Sequence, residues 1–279
     1  MKVNETTVTL VGAGGKMGMR CTNNLLKSGY NTHYVEINPE AIERLKTLNV
    51  EVTATEKAVP EADIVILAVP DVALKTVSKE IIPLMKSGAL IVCLDPAAPL
   101  AGHLYHRSDV AYYVTHPAHP SVFNYENSEE AQKDYYGGIL AKQPVVSAIM
   151  HGGDADYAIG DQLTKVIYQP VTVNHRITVK QMALLEPGFS ETLSSTCIKK
   201  IRDGLDVVVE KGVPYEAARD FILGHINIQL AVLFNELPIQ FSDAAIKALE
   251  RAEAILFKED WKKIFDDDDI MEQIKAITT

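Results

Sequence analysis

The feature that most limits what this chain can fold into lies near its start. Residues 8 to 18 read VTLVGAGGKMG: a β-branched apolar run breaks on Gly12-Ala13-Gly14-Gly15 and passes into a helical pattern from about Lys16 to Lys27. Glycine adopts backbone conformations closed to other residues, and bare backbone lets main-chain N–H groups and a helix N-terminus approach a diphosphate. Four more apolar runs follow, HYVEI (33–37), DIVILAVP (63–70), ALIVCLD (89–95) and YYVTH (112–116), with helical stretches between them. Continuous rather than alternating apolar runs belong to strands buried on both faces, and helical crossovers make such strands parallel. The expected fold class is therefore α/β, with a doubly wound sheet. Two further runs, PVVSAIMHG (144–152) and QPVTVNHRIT (169–178), are expected to extend it.

After about residue 176 the pattern turns almost wholly helical, broken most clearly at Gly212-Val213-Pro214 and Glu236-Leu237-Pro238. The expected domains are 1–176, a dinucleotide-binding sheet domain, and 177–279, a helical substrate and dimerisation domain. In the second, the helix from about Tyr215 to Asn235 carries Phe221, Ile222, Ile226, Leu230, Val232 and Leu233 around much of its circumference. That is more apolar surface than one packing partner covers, so a homodimer is expected. The run Asp266 to Asp269 reads as a solvated face or a helix start, with metal binding as the alternative.

The glycine turn alone is compatible with a plain strand-to-helix connection, but its surroundings favour a cofactor. Gly12, Ala13, Gly14, Gly15, Lys16 and Met17 would cradle the diphosphate, although GxGxxG wants glycine where Met17 stands and Gly18 falls one residue late. Glu36 follows Gly12 by 24 residues, where an acid accepts hydrogen bonds from the adenosine ribose hydroxyls and repels a 2′-phosphate. NAD is thus expected over NADP; otherwise Glu36 is an exposed strand-end acid. Val69, Pro70 and Asp71 close the third run with a stiff turn, where a dinucleotide would cross the sheet.

Two segments carry candidate chemistry. In YYVTHPAHPSVF (112–123), His116 stands at a strand's C-terminal end, where ligands gather in open α/β sheets, and can serve as general acid, general base or neutral metal ligand. His119 follows three residues later, and His225 lies in an apolar helix. In ALLEPGFSET (183–192), Pro187 should kink a helix near Glu186, whose carboxylate is either capped by backbone donors or aimed into an interdomain cleft. Ser190, Ser194 and Cys197 recur on the same face, as a pocket lining or as small residues for close packing.

The GAGGKMG turn, the AVPD strand end, the THPAHPSVF segment and the MALLEPGFSET helix together resemble the family of NAD-dependent oxidoreductases that includes D-apionate oxidoisomerase. The resemblance implies a Rossmann domain joined to an all-helical domain like that of 6-phosphogluconate dehydrogenase. It also implies a divalent metal, zinc, held by His116 and Glu186, and a sugar acid or hydroxyacid oxidised at a secondary alcohol, with a carbon-skeleton rearrangement as a further step. The lysine and asparagine four residues apart that the wider superfamily uses are not both present, because Lys180 is followed by Leu184. A metal-free enzyme resembling prephenate dehydrogenase is the alternative, with His116 on the substrate hydroxyl and Arg107 and Arg176 on its carboxylates. A dinucleotide sensor without turnover is the alternative of another class.

Charge and cysteine content narrow the partners. Twenty-seven basic against 37 acidic side chains leave a net charge of -10, which repels nucleic acid and anionic membranes and favours a small-molecule substrate. Cys21, Cys93 and Cys197 are too few for a disulfide framework, and no segment has the length of a membrane span or the look of a signal peptide. A cytoplasmic location is expected.

Overall fold

The computed structural model describes residues 2–279. Seven strands form one sheet: β1 (Thr7–Val11), β2 (Asn31–Val35), β3 (Ile64–Leu67), β4 (Leu90–Cys93), β5 (Ala111–Pro117), β6 (Gln143–His151) and β7 (Val171–Arg176), in the order β2-β1-β3-β4-β5-β6-β7. The first five are parallel; β6 runs antiparallel to β5, and β7 parallel to β6. This is the doubly wound α/β plan expected from the apolar runs, with 144–152 and 169–178 supplying the last two strands.

The runs are continuously apolar because alternate residues enter different cores. Val65 and Leu67 join Val11, Ile91, Cys93 and Val114 against the helices that supply Ala58, Leu74 and Met182. Ile64 and Ile66 join Leu10, Val92 and Tyr113 on the other face, with Cys21, Leu25 and Leu163. Burial pushes the thiols of Cys21 and Cys93 up to about 12, so both behave as small apolar side chains.

The chain separates into two compact units, Met1–Glu186 with Met271–Thr279, and Pro187–Ile270. The first therefore extends past residue 176 and takes back the C-terminal tail. The second holds helices Ser195–Glu210, Tyr215–Leu233 and Asp243–Leu256. Across those three helices only Leu205 and Ala218 are buried, while Phe221, Leu233, Ile255 and Leu256 are each more than 60% exposed. Asp267 to Asp269 form the first turn of the final helix, Asp267–Thr278, where acidic side chains complement the helix dipole.

Candidate active site

The glycine turn leaves β1 beside the end of β3. Gly12 has φ +79°, and a Cβ there would stand 2.5 Å from the Ala68 carbonyl oxygen. A Cβ on Gly14 would meet Ala41 O at 2.6 Å, and one on Gly18 would meet Gly12 O at 1.9 Å. Gly18 thus performs the close helix-to-turn packing of a third fingerprint glycine, and the departure from GxGxxG is an inserted residue rather than a lost one. Gly15 occupies the N-cap of helix Lys16–Leu25 without a side-chain cap, which leaves the first amides of that helix for an anion. Met17 packs its half-buried side chain against the second core.

Glu36 lies just past β2 and is tied to the turn. Its Oε2 accepts from Gly14 N–H at 3.0 Å, while Oε1 accepts from the amides of Ile37 and Asn38 at 2.8 and 3.0 Å. The Arg44 guanidinium donates to Gly14 O at 2.8 Å through Nη2. Val69 touches the same turn, since its Cγ1 lies 2.9 Å from the Gly12 Cβ position. Pro70 caps helix Asp71–Ile81, whose first turn contains Asp71.

Two strands along the sheet, the ends of β4 and β5 assemble a second cluster. The His116 Nδ1–H donates to Leu94 O at 2.9 Å, since a carbonyl can only accept, which leaves Nε2 as the ring nitrogen that faces the cluster. Nε2 faces Glu186 Oε2 at 3.3 Å, and Asp95 Oδ2 lies 3.7 Å from Nδ1. Asp95 is oriented by accepting the Ala97 N–H at 2.8 Å through Oδ1. One ligand atom from each of Asp95, His116 and Glu186 lies within 4.8 Å of the others, and all three residues are half-buried.

Glu186 reaches this place from an unusual helix. Val179–Ala183 is α-helical, and Leu184–Ser194 continues as a π-helix containing Pro187. Proline cannot donate to the turn before it, and here the helix widens where a sharp kink is expected.

Other candidate side chains are engaged elsewhere. Arg107 donates to Ile82 O and Met85 O and pairs with Asp109. Arg176 pairs with Asp154 and stacks on Tyr157. His225 stacks on Phe221 and bonds its backbone carbonyl within the second unit.

Residues 7–99 match the NAD-binding domain of 6-phosphogluconate dehydrogenase, and residues 124–278 match the C-terminal domain of decarboxylating phosphogluconate dehydrogenase. A D-apionate oxidoisomerase of Cupriavidus necator is 48% identical over 97% of this chain and 99% of its own length. One of Rhizobium rhizogenes is 45% identical over 98% and 100%. The chain belongs to the NAD-dependent oxidoreductase family that includes D-apionate oxidoisomerase. It is an enzyme, an NAD-dependent oxidoreductase. A solved Cupriavidus necator structure, described as a semialdehyde dehydrogenase NAD-binding protein in complex with calcium and NAD, has a TM-score of 0.97 and 48% identity, each chain covered in full.

Sequence reasoning passed over Asp95 and Arg44, and Gly18, one residue late for the fingerprint, is the glycine that packs on the turn. A signal for Asp95 was present: it ends an apolar run just as Glu36 follows one, and strand-end acids face the ligand side of such sheets.

Proposed function

We propose that this enzyme oxidises the secondary alcohol of a sugar acid, D-apionate or a close analogue, at a divalent metal held by His116 and Glu186 with Asp95 as a third group. The single observation that carries the reading is the convergence of Asp95, His116 and Glu186 at the strand ends. The fit to a cation follows from the ring's hydrogen bond. With Nδ1–H committed to Leu94, Nε2 and the Glu186 carboxylate would oppose lone pair to lone pair unless a proton or a cation stood between them. Their 3.3 Å separation is longer than the roughly 2.7–2.9 Å of a charge-assisted bond. It suits two ligands on one ion about 2.0–2.2 Å from each.

One nitrogen and two carboxylates suit zinc better than calcium, which favours six or more oxygens. When bound, the ion stabilises the developing alkoxide and NAD takes the hydride. The chain's own part is positional: Leu94 fixes the His116 ring, Ala97 fixes Asp95, and the π-helix carries Glu186 to them. Gly12, Ala13, Gly14, Gly15, Lys16 and Met17 offer the diphosphate cradle, and the Glu36 carboxylate favours NAD over a 2′-phosphorylated cofactor. Val69, Pro70 and Asp71 border the crossing point. The relatives' name, oxidoisomerase, supports a carbon-skeleton rearrangement following oxidation. The metal-free alternative is less well supported, because Arg107 and Arg176 already hold other partners.

The exposed helices of the second unit support a homodimer. No helix among the described residues is long and apolar enough to cross a membrane; three free cysteines support a cytoplasmic setting. The test follows NADH formation from D-apionate before and after chelation. Loss of turnover on chelation, restored by zinc, is expected. Full activity in metal-free protein would overturn the metal reading, and no NADH from any sugar acid would overturn the substrate reading.

A further inference from the structure

The loop between β5 and β6 carries an exposed tyrosine on a firm footing. Asp134 Oδ2 accepts the amides of Ile139, Leu140 and Ala141 at 3.2, 2.8 and 3.1 Å, and the Asp134 carbonyl accepts Gly137 N–H at 3.0 Å. Gly137 and Gly138 turn the chain at φ +68° and +81°, and the buried Asn24 of helix Lys16–Leu25 donates to Gly138 O at 2.8 Å. Tyr136 is thereby fixed beside the glycine turn. Lys16 Nζ lies 3.4 Å from its hydroxyl and 4.8 Å from its ring centroid, and Arg20 Cζ lies 4.5 Å from the centroid. His119 links this tyrosine to the reaction centre. Its Nδ1–H donates to Tyr136 O at 2.9 Å, and its ring stands edge-on to Tyr136 at 5.7 Å and to His116 at 6.2 Å. His119 adopts φ +63°, a conformation rare for a non-glycine residue, so the loop holds it there against local preference.

Lys16 belongs to the proposed diphosphate cradle and His116 to the proposed reaction centre, so Tyr136 and His119 occupy the interval between them. In NAD that interval is filled by the ribose of the nicotinamide half, which joins the diphosphate to the reacting ring. We propose that the Tyr136 hydroxyl and His119 Nε2 hold the vicinal hydroxyls of this ribose. The chemistry suits the ligand: a phenol both donates and accepts, and the imidazole, with Nδ1–H committed to Tyr136 O, presents its remaining nitrogen. Lys16 and Arg20, drawn to the ring by cation–π attraction, fix the tyrosine's place. Glu36 serves the adenosine ribose and the turn amides serve the phosphates, which leaves the second ribose to this pair. The proposal rests on the cradle and the reaction centre read above and supplies the path between them.

The test is titration calorimetry of NAD, ADP-ribose and ADP into the full-length protein. ADP-ribose keeps the second ribose but lacks nicotinamide, and ADP lacks both. Tyr136→Phe removes the hydroxyl and keeps the ring; His119→Asn removes Nε2 and tolerates the positive φ. Each should weaken NAD and ADP-ribose about fivefold and leave ADP within about twofold of wild type. An equal loss for ADP would assign the pair to the diphosphate, and a loss for NAD alone would assign it to the nicotinamide. Either result overturns the proposal, as would unchanged affinity for all three ligands. Glu36→Gln, at the other ribose, should weaken all three. If ADP is unaffected in that variant while Tyr136→Phe still separates ADP-ribose from ADP, the adenosine end of the cradle is misplaced and the contact to the second ribose stands.

Discussion

At His116 the deciding detail is which ring nitrogen holds the proton. The Leu94 carbonyl sits 2.9 Å from Nδ1 and accepts its N–H, so Nε2 is the nitrogen left to face Glu186 and to share a proton or a cation with it. Asp95 is the residue whose contribution is most open to measurement, because its carboxylate is held by the Ala97 amide and stands beside the imidazole. Asp95→Asn keeps the size and the amide contact but removes the charge. Zinc affinity, measured by competition with a chromophoric chelator, should fall about 10- to 100-fold. Wild-type affinity in that variant would remove Asp95 from the metal site and leave it as a cap for the segment after β4.

The glycine turn and the π-helix show how much an element's irregularity matters. A Cβ on Gly18 would collide with the backbone of Gly12 and Ala13, which cannot rotate away as a side chain can. Gly18→Ala should therefore cost about 2–3 kcal/mol and lower the thermal midpoint by roughly 5–10 °C. An unchanged midpoint with unchanged NAD affinity would show that the turn is looser than its contacts indicate. The regular elements were legible because a buried strand must be apolar throughout; the runs from 8 to 116 became β1 to β5 in order. His116 and Glu186 were legible as a proline-flanked histidine at a strand end and an acid among apolar neighbours. Tyr136 was not, since its partner Lys16 lies 120 residues away and the loop between has no periodicity to read. The widening at Leu184–Ser194 was also hidden, because a proline in a helix marks a disturbance without saying which form it takes.

For the molecule as a whole, the bareness of the second unit is the strongest constraint. Three helices with two buried side chains between them leave Phe221, Leu233 and Leu256 in water, an arrangement that soluble monomers rarely tolerate. Sedimentation at micromolar concentration should give twice the 30.7 kDa chain mass; a single-chain mass would refute the homodimer. The sheet imposes a different kind of requirement. The glycine turn ends β1, and Asp95 and His116 stand at the ends of β4 and β5, two and three strands away in the order of the sheet. At about 4.8 Å per strand, the glycine turn and the Asp95–His116 cluster are roughly 10–15 Å apart. The strand order thus acts as a length gauge: a mononucleotide held at the glycine turn would fall short of His116, and only a two-nucleotide carrier can be gripped at one end while delivering its reactive ring at the other.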